Sequence, residues 1–212
     1  MLKEVKNMYF NRRCKITFVS HGATIYSEEG RFSDNSAYPP LSDLGVDETE
    51  NVVKYLKDRA IKNDVIYSSP SIRTQQTAEI VAKLFKQEFE TIENLTPRKC
   101  GEWNGLTYEQ ILAKYPDGIS QVLANLESGD AGESTPDFIK RVKFVIDDLV
   151  EKNNGNRIII VTHPDVIQAA ICGALDISAD KLLKIYIRTG SVTQISYFEN
   201  WASLVYCDHV PL

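Results

Sequence analysis

The stretch "DVIYSSPSIRTQQTAEIVAKLF" (residues 64–85) opens on an apolar run and closes on a helical pattern. Asp64-Val65-Ile66-Tyr67-Ser68 has the length and β-branched content of a short strand. A helix follows from Ser71 to about Phe85. The same alternation runs outward in both directions. Upstream, residues 15–20 read as a strand and residues 22–40 as a loop rich in Gly, Ser, Asn, Asp and Pro. Ser42 opens a helix to about Arg59, with Leu44, Val52, Val53, Leu56 and Ala60 near helical spacing. Downstream, Glu90-Thr91-Ile92 reads as a weak strand. A loop holding Gly101 and Gly105 leads to a helix over 107–115 and a second over 119–127. Ser134 caps a long amphipathic helix to about Lys152, with Phe138, Val142, Val145, Ile146 and Leu149 on one face. Arg157–Thr162 carries Ile-Ile-Ile-Val, a continuous apolar run typical of a central parallel strand. A helix over 165–175, a short helix over 178–184 and strands over 191–198 and 202–207 complete the pattern. Strands alternating with helices predict an α/β fold: a mostly parallel central sheet flanked by helices in three layers. No repeat or linker interrupts it, so a single domain over 1–212 is expected. Residues 1–14 are an N-terminal extension and about 93–130 a cap-forming insertion.

The bulk properties narrow the function classes. At 212 residues, the chain is ample for a proper core. A net charge of −5 with no basic stripe argues against general nucleic-acid binding. No apolar segment reaches the ~18–20 residues of a membrane span, and the N-terminus has no apolar core of a signal peptide. Cys14, Cys100, Cys172 and Cys207 show no paired spacing, so no structural metal is expected. Free thiols in a reducing cytoplasmic setting are the default.

In open α/β sheets the ligand site lies beyond the carboxyl ends of the strands. Three such ends carry chemistry. Strand 15–20 runs into Ser20-His21-Gly22, strand 64–68 ends at Ser68-Ser69-Pro70, three residues before Arg73, and strand 157–162 runs into His163. The chain has only three histidines, and two follow apolar strands directly. One histidine after a strand is more often structural. Two at equivalent ends, with an arginine at a third, describe a site. Arginine binds phosphate oxygens bidentately, and a neutral histidine can attack phosphorus and carry the phosphoryl group. On its own, Arg73 would read as a surface helix residue.

The chain resembles the histidine phosphatase (phosphoglycerate mutase-like) superfamily from about residue 15 to the C-terminus. The likeness is carried by "VIYSSPSIRTQQTAEIVAKLF" (65–85), "PPLSDLG" (39–45), "GEWNGLTYEQI" (101–111), "GES" (132–134) and "VTHPDVIQAAI" (161–171), in the family's order and spacing. The resemblance implies a phosphoglycerate mutase-like fold and a metal-independent, cofactor-free phosphomonoesterase acting on a small phosphorylated metabolite. It implies that His21 becomes phosphohistidine, that Arg73 holds phosphate oxygens with Ser20 and Gly22 at the same motif, and that His163 stabilises the transferring group. Neither nucleic acid nor membrane is an implied partner; the last strands offer a sheet edge for a homodimer, or an edge that is simply covered.

The sequence departs from the family pattern at several points. Ser20 stands where the family has arginine, Ala23 where Glu or Gln is frequent, and Ser27 where one branch places Asn. Pro97 stands where the general-acid Glu is usual, and a proline cannot donate a proton. Pro164 follows the second histidine in place of Gly. Arg31 in the first loop, and Arg98 and Lys99 beside Pro97, are substitutes for the missing cation or else solvated loop charges. Asp165, Glu28 and Glu29 are candidate substitute acids. Some relatives use an Asp directly after the second histidine, but Pro164 intervenes here, and a first-turn carboxylate is also favourable for the helix dipole alone. Tyr26, Phe32 and Tyr38 line a pocket or anchor the loop. His209 reads as structural or surface. Hydrolysis is favoured over mutase chemistry, which needs a tightly specified pocket. The other class is an inactive member serving as a phospho-ligand sensor or regulatory subunit.

Overall fold

The computed structural model describes residues 12–35, 39–114 and 132–212. The strands are β1 (Arg12–Ser20), β2 (Val65–Ser68), β3 (Phe89–Thr91), β4 (Arg157–Thr162), β5 (Val192–Phe198) and β6 (Ala202–His209). The helices are α1 (Ile25–Glu28), α2 (Asp43–Asp58), α3 (Ile72–Phe85), α4 (Tyr108–Lys114), α5 (Thr135–Lys152) and α6 (Pro164–Ala174), with 3-10 turns at Glu93–Leu95, Gly101–Trp103 and Ala179–Lys184. One sheet of order β3-β2-β4-β1-β5-β6 holds all six strands. Its first four run parallel, and β5 and β6 are antiparallel additions.

The apolar run of β4 explains the three layers. Ile158 and Ile160 point into a core shared with Phe138, Val142 and Leu149 of α5 and with Val166, Ala170 and Ile171 of α6. Ile159 and Val161, one residue out of phase, enter a second core with Val52 and Leu56 of α2 and Ala78 and Val81 of α3. A strand covered on both faces needs apolar residues at successive positions, which is what the sequence supplies. A third, small cluster joins Cys100, Trp103 and Ile111 to Phe32, and so ties the segment after β3 to the loop after β1.

Several expectations are corrected. β1 begins at Arg12, so residues 12–14 belong to the sheet and not to the extension; residues 1–11 lie outside the described residues. The loop over 22–40 contains α1, a single turn with a Thr24–Ser27 capping box. Leu44 is half exposed and not on the buried face of α2, where Gly45, Thr49, Val52 and Leu56 are. β6 extends to His209. The expected helix over 119–127, much of the cap region and Tyr38 fall outside the described residues. Among the described residues no helix is long and apolar enough to cross a membrane.

Candidate active site

The carboxyl ends of β1, β2 and β4 meet in one cleft of about 280 Å³, lined among others by His21, Arg73, Pro97, His163 and Asp165. β1 delivers His21. Its N–H donates to the Thr162 carbonyl (2.9 Å), and its own carbonyl accepts from Gly190 N–H (2.9 Å), which clamps the residue between β4 and the turn before β5. Nδ1 lies 2.7 Å from the Gly22 carbonyl. A carbonyl can only accept, so Nδ1 carries the proton and Nε2 keeps its lone pair. Arg73 Nε–H reaches toward that lone pair at 3.3 Å. Burial, and then the neighbouring Arg73 charge, push the His21 pKa down to about 3, so the imidazole stays neutral.

The glycine after His21 answers to packing. A Cβ on Gly22 would lie 2.1 Å from the Gly45 carbonyl oxygen, and one on Gly45 would lie 2.0 Å from the Ala23 carbonyl oxygen. The N-terminus of α2 therefore seats directly against the end of β1, where Ser42 N–H donates to the Ala23 carbonyl (3.0 Å). Gly22 N–H is engaged by Thr77 Oγ1 (3.2 Å), and Ala23 N–H by Glu48 Oε2 (2.7 Å).

Arg73 enters from the first turn of α3 and is only 2% exposed. Burial lowers its pKa to about 10, partly opposed by the nearby Asp165 and Asp34 carboxyls. Its Nη1 has no protein partner. His163 occupies the N-cap of α6, and its Nε2 lies 2.8 Å from Ser69 Oγ and 3.3 Å from Ser71 Oγ. Its Nδ1 is also buried without a partner. Burial, then the Arg73 charge, hold this imidazole well below its ordinary range. The two histidine rings stand edge to face with centroids 5.3 Å apart.

Asp165, in the first turn of α6, lines the same cleft and accepts from Arg98 N–H at Oδ2 (2.7 Å) and Val166 N–H at Oδ1 (2.8 Å). Desolvation raises its pKa, against the pull of both amides and of the Arg73 and Arg141 charges. The strap 93–100 that carries Pro97 is clamped to α5. The Arg141 guanidinium makes a fork to Glu133 (2.8 and 2.7 Å) and donates to the carbonyls of Asn94 (2.9 Å), Thr96 (3.0 Å) and Pro97 (3.4 Å).

The other predicted residues divide. Arg31 and Phe32 line the cleft. Arg31 is already engaged, donating to Glu29 and to the Gly105 carbonyl (2.8 Å). Phe32 also packs edge-on against Trp103, so it both lines and anchors. Ser20 is fully buried, with an unpartnered Oγ, and does not line the cleft. Arg98 spends Nε on the Glu133 carbonyl (2.7 Å). Glu102, near the site in sequence but no candidate acid, pairs with Lys114 on the surface (3.2 Å). Arg12, a further basic residue of the same strand, is at the far end of β1, about 30 Å from His21 at the usual strand rise. His209 stacks on Tyr55 (4.4 Å between centroids), in a separate depression beside α2. Among the described residues no cluster of His, Cys, Asp or Glu is arranged to hold a metal.

Sequence reasoning missed the supporting residues. Ser69, inside the Ser-Ser-Pro block, and Ser71, directly after it, carry no local sign of a role beside His163. Thr77, Glu48 and Arg141 read as ordinary helix positions, because their partners are distant in sequence.

The family model described as "Histidine phosphatase superfamily (branch 1)" matches residues 16–208. Phosphoglycerate mutase-like protein 4 of Arabidopsis thaliana is 29% identical over 199 residues, covering 92% of this chain and 85% of that protein. Phosphoserine phosphatase 1 of Hydrogenobacter thermophilus is 25% identical over 169 residues, 79% of each chain. The solved structure of YhfR from Bacillus stearothermophilus superposes with a TM-score of 0.84 at 25% identity, covering 93% of this chain and 98% of that one.

Proposed function

This chain belongs to the histidine phosphatase superfamily, and we propose that it is a metal-independent phosphomonoester hydrolase working through a phosphohistidine at His21. One observation carries the reading. Two buried nitrogens without protein partners, Arg73 Nη1 and His163 Nδ1, belong to residues that line the same cleft as His21, and with Ser69 Oγ–H assigned as the donor to His163 Nε2 both of them are donors. Buried donors of this kind are costly unless an acceptor fills the space between them. A phosphoryl group supplies such acceptors.

In the first step the Nε2 lone pair attacks phosphorus. The P–N bond forms as the ester P–O bond breaks, and the leaving oxygen takes a proton. Nδ1–H on the Gly22 carbonyl accommodates the charge that appears on the ring. Arg73 presents its fork to the equatorial oxygens. With Ser69 Oγ–H donating to His163 Nε2, the His163 proton sits on Nδ1 and serves as a neutral donor. In the second step water attacks phosphorus, the P–N bond breaks, and inorganic phosphate leaves with His21 neutral again. The cleft's size fits a small phosphorylated metabolite, a class that includes what the name of the Hydrogenobacter relative specifies.

A second reading rests on Ser20. Its short buried hydroxyl offers the cleft no cation, and this favours an inactive member that binds a phospho-ligand or serves as a regulatory subunit. Turnover of p-nitrophenyl phosphate and a panel of phosphorylated metabolites decides between them. Activity that falls by at least about 10³-fold in His21→Ala supports the hydrolase. A silent parent that gains activity only as Ser20→Arg overturns it in favour of the second reading.

A further inference from the structure

We propose that Asp165 is the general acid of this site, in place of the side chain that Pro97 cannot supply; the assignment rests on the hydrolase reading above. Among the described residues lining the cleft, Asp165 bears the one carboxyl group. Its neighbours explain how a carboxyl from α6 reaches the place of a strap residue. The amide next to Pro97, Arg98 N–H, holds Oδ2 at 2.7 Å, so Asp165 is docked against the strap at the position where the sequence has lost its acid. Val166 N–H fixes Oδ1 at 2.8 Å, and the two bonds set the carboxyl plane. Each oxygen keeps one further lone-pair position, so a proton can sit on one while both amide bonds persist. Pro164 at the first position of α6 starts the helix directly after His163 and so places Asp165 in its first turn.

The proton inventory balances. As His21 Nε2 bonds to phosphorus, Asp165 O–H gives its proton to the departing ester oxygen, which leaves as the neutral alcohol. The resulting carboxylate is stabilised by the two amides and by Arg73, Arg98 and Arg141, with the Cys100 thiol and Asp34 as the other groups nearby. In the second step the carboxylate takes a proton from the attacking water and returns to its starting form. Burial raises its pKa, which favours the protonated form that the first step uses.

The test compares two esters in the parent, His21→Ala and Asp165→Asn: O-phosphoserine, whose alkoxide needs a proton to leave, and dinitrophenyl phosphate, whose phenolate does not. Asp165→Asn is expected to lower kcat/KM for the alkyl ester by about 10²–10³-fold but to lower kcat/KM for dinitrophenyl phosphate far less, because kcat/KM reports only the steps up to the phosphohistidine and not the later attack of water. Retained activity on the second ester also shows that the variant folds. Equal losses on both esters, or no loss on either, overturn the acid assignment and leave the hydrolase reading standing. A parent that hydrolyses neither ester overturns both. If the Asn variant does not fold, the parent's rates across a series of phenyl phosphates decide. Rates that stay level as the leaving phenol becomes more basic require a donor, and an Asp165→Glu variant then shifts the series. Rates that fall steeply overturn the proposal.

Discussion

The floor residues of the cleft stand at a strand end or in the first turn of a helix packed on the sheet; the rim residues sit on loops that side chains from elsewhere tie down. His21 is locked through its own N–H, its carbonyl and Nδ1, all to backbone atoms. His163 stands at an N-cap, and Arg73 is sunk at the start of α3. On the rim, Arg31 leans on Glu29, and the strap 93–100 hangs on the Arg141 guanidinium. The departures from the family's motif at Pro97 and Ser27 are rim positions. A residue fixed by strand ends has few tolerable replacements. A proton donor on a strap needs only to reach the same point in space, and a neighbouring element can supply it. Ser20, Ala23 and Pro164 are exceptions: they stand beside the two histidines, and Ser20, inside the sheet, has no replacement cation on the floor.

The sharpest way to break this comparison is Arg73→Met. If the floor carries the chemistry, kcat/KM falls by about 10²–10⁴-fold, the equivalent of two charge-assisted hydrogen bonds at roughly 1.5–3 kcal/mol each. The same change removes a buried guanidinium whose Nη1 has no partner, and an apolar side chain of similar length should raise stability by about 1 kcal/mol, or ~2–4 °C in Tm. Paired activity and melting measurements check both. Loss of activity with loss of stability would mean that Arg73 is chiefly a structural ion.

The difference between floor and rim also marks what could be read from sequence. The apolar runs of β1 and β4, ending on His21 and His163, announce both the parallel sheet and the histidines' shared edge, because burial on two faces leaves a local signature. The single turn of α1 is too short to show a period. Leu44 follows the helical spacing yet points outward, since Gly45 is the residue pressed against β1. The start of β1 at Arg12 is set by pairing with β5, about 180 residues away. The contacts of Asp165 with the strap and of Arg141 with three strap carbonyls join residues with no local relation, so no pattern in the chain could reveal them.

A second, smaller effect sharpens the floor's description through pH. The folded pKa of His21 is about 3, against an ordinary 6.5. Between these values the unfolded chain binds a proton that the folded chain refuses, so this contribution to stability is present above about pH 6.5 and is lost as pH falls toward 3. His163 adds in the same direction. His21→Asn removes one of the two. The stability difference between variant and parent should then move in the variant's favour by roughly 2 kcal/mol between about pH 8 and pH 5. Urea midpoints at the two pH values measure it. An unchanged difference would mean that His21 is solvated and titrates normally.

Arg31→Gln should have the smallest effect, and it tests the rim directly. Arg31 lines the cleft, but its guanidinium already donates to Glu29 and to the Gly105 carbonyl. The side chain is 30% exposed, so its field is screened by water. A charge in that setting is worth about 0.2–1 kcal/mol, and kcat/KM should fall by no more than about fivefold. A loss approaching that of Arg73→Met would mean that Arg31 leaves Glu29 and takes the phosphate oxygens that the missing cation at Ser20 does not. Glu29→Gln separates the cases further. If Arg31 is a rim charge, freeing it changes little. If it is the replacement cation, removing its competitor should increase kcat/KM, and the floor would then depend on the rim for its second positive charge.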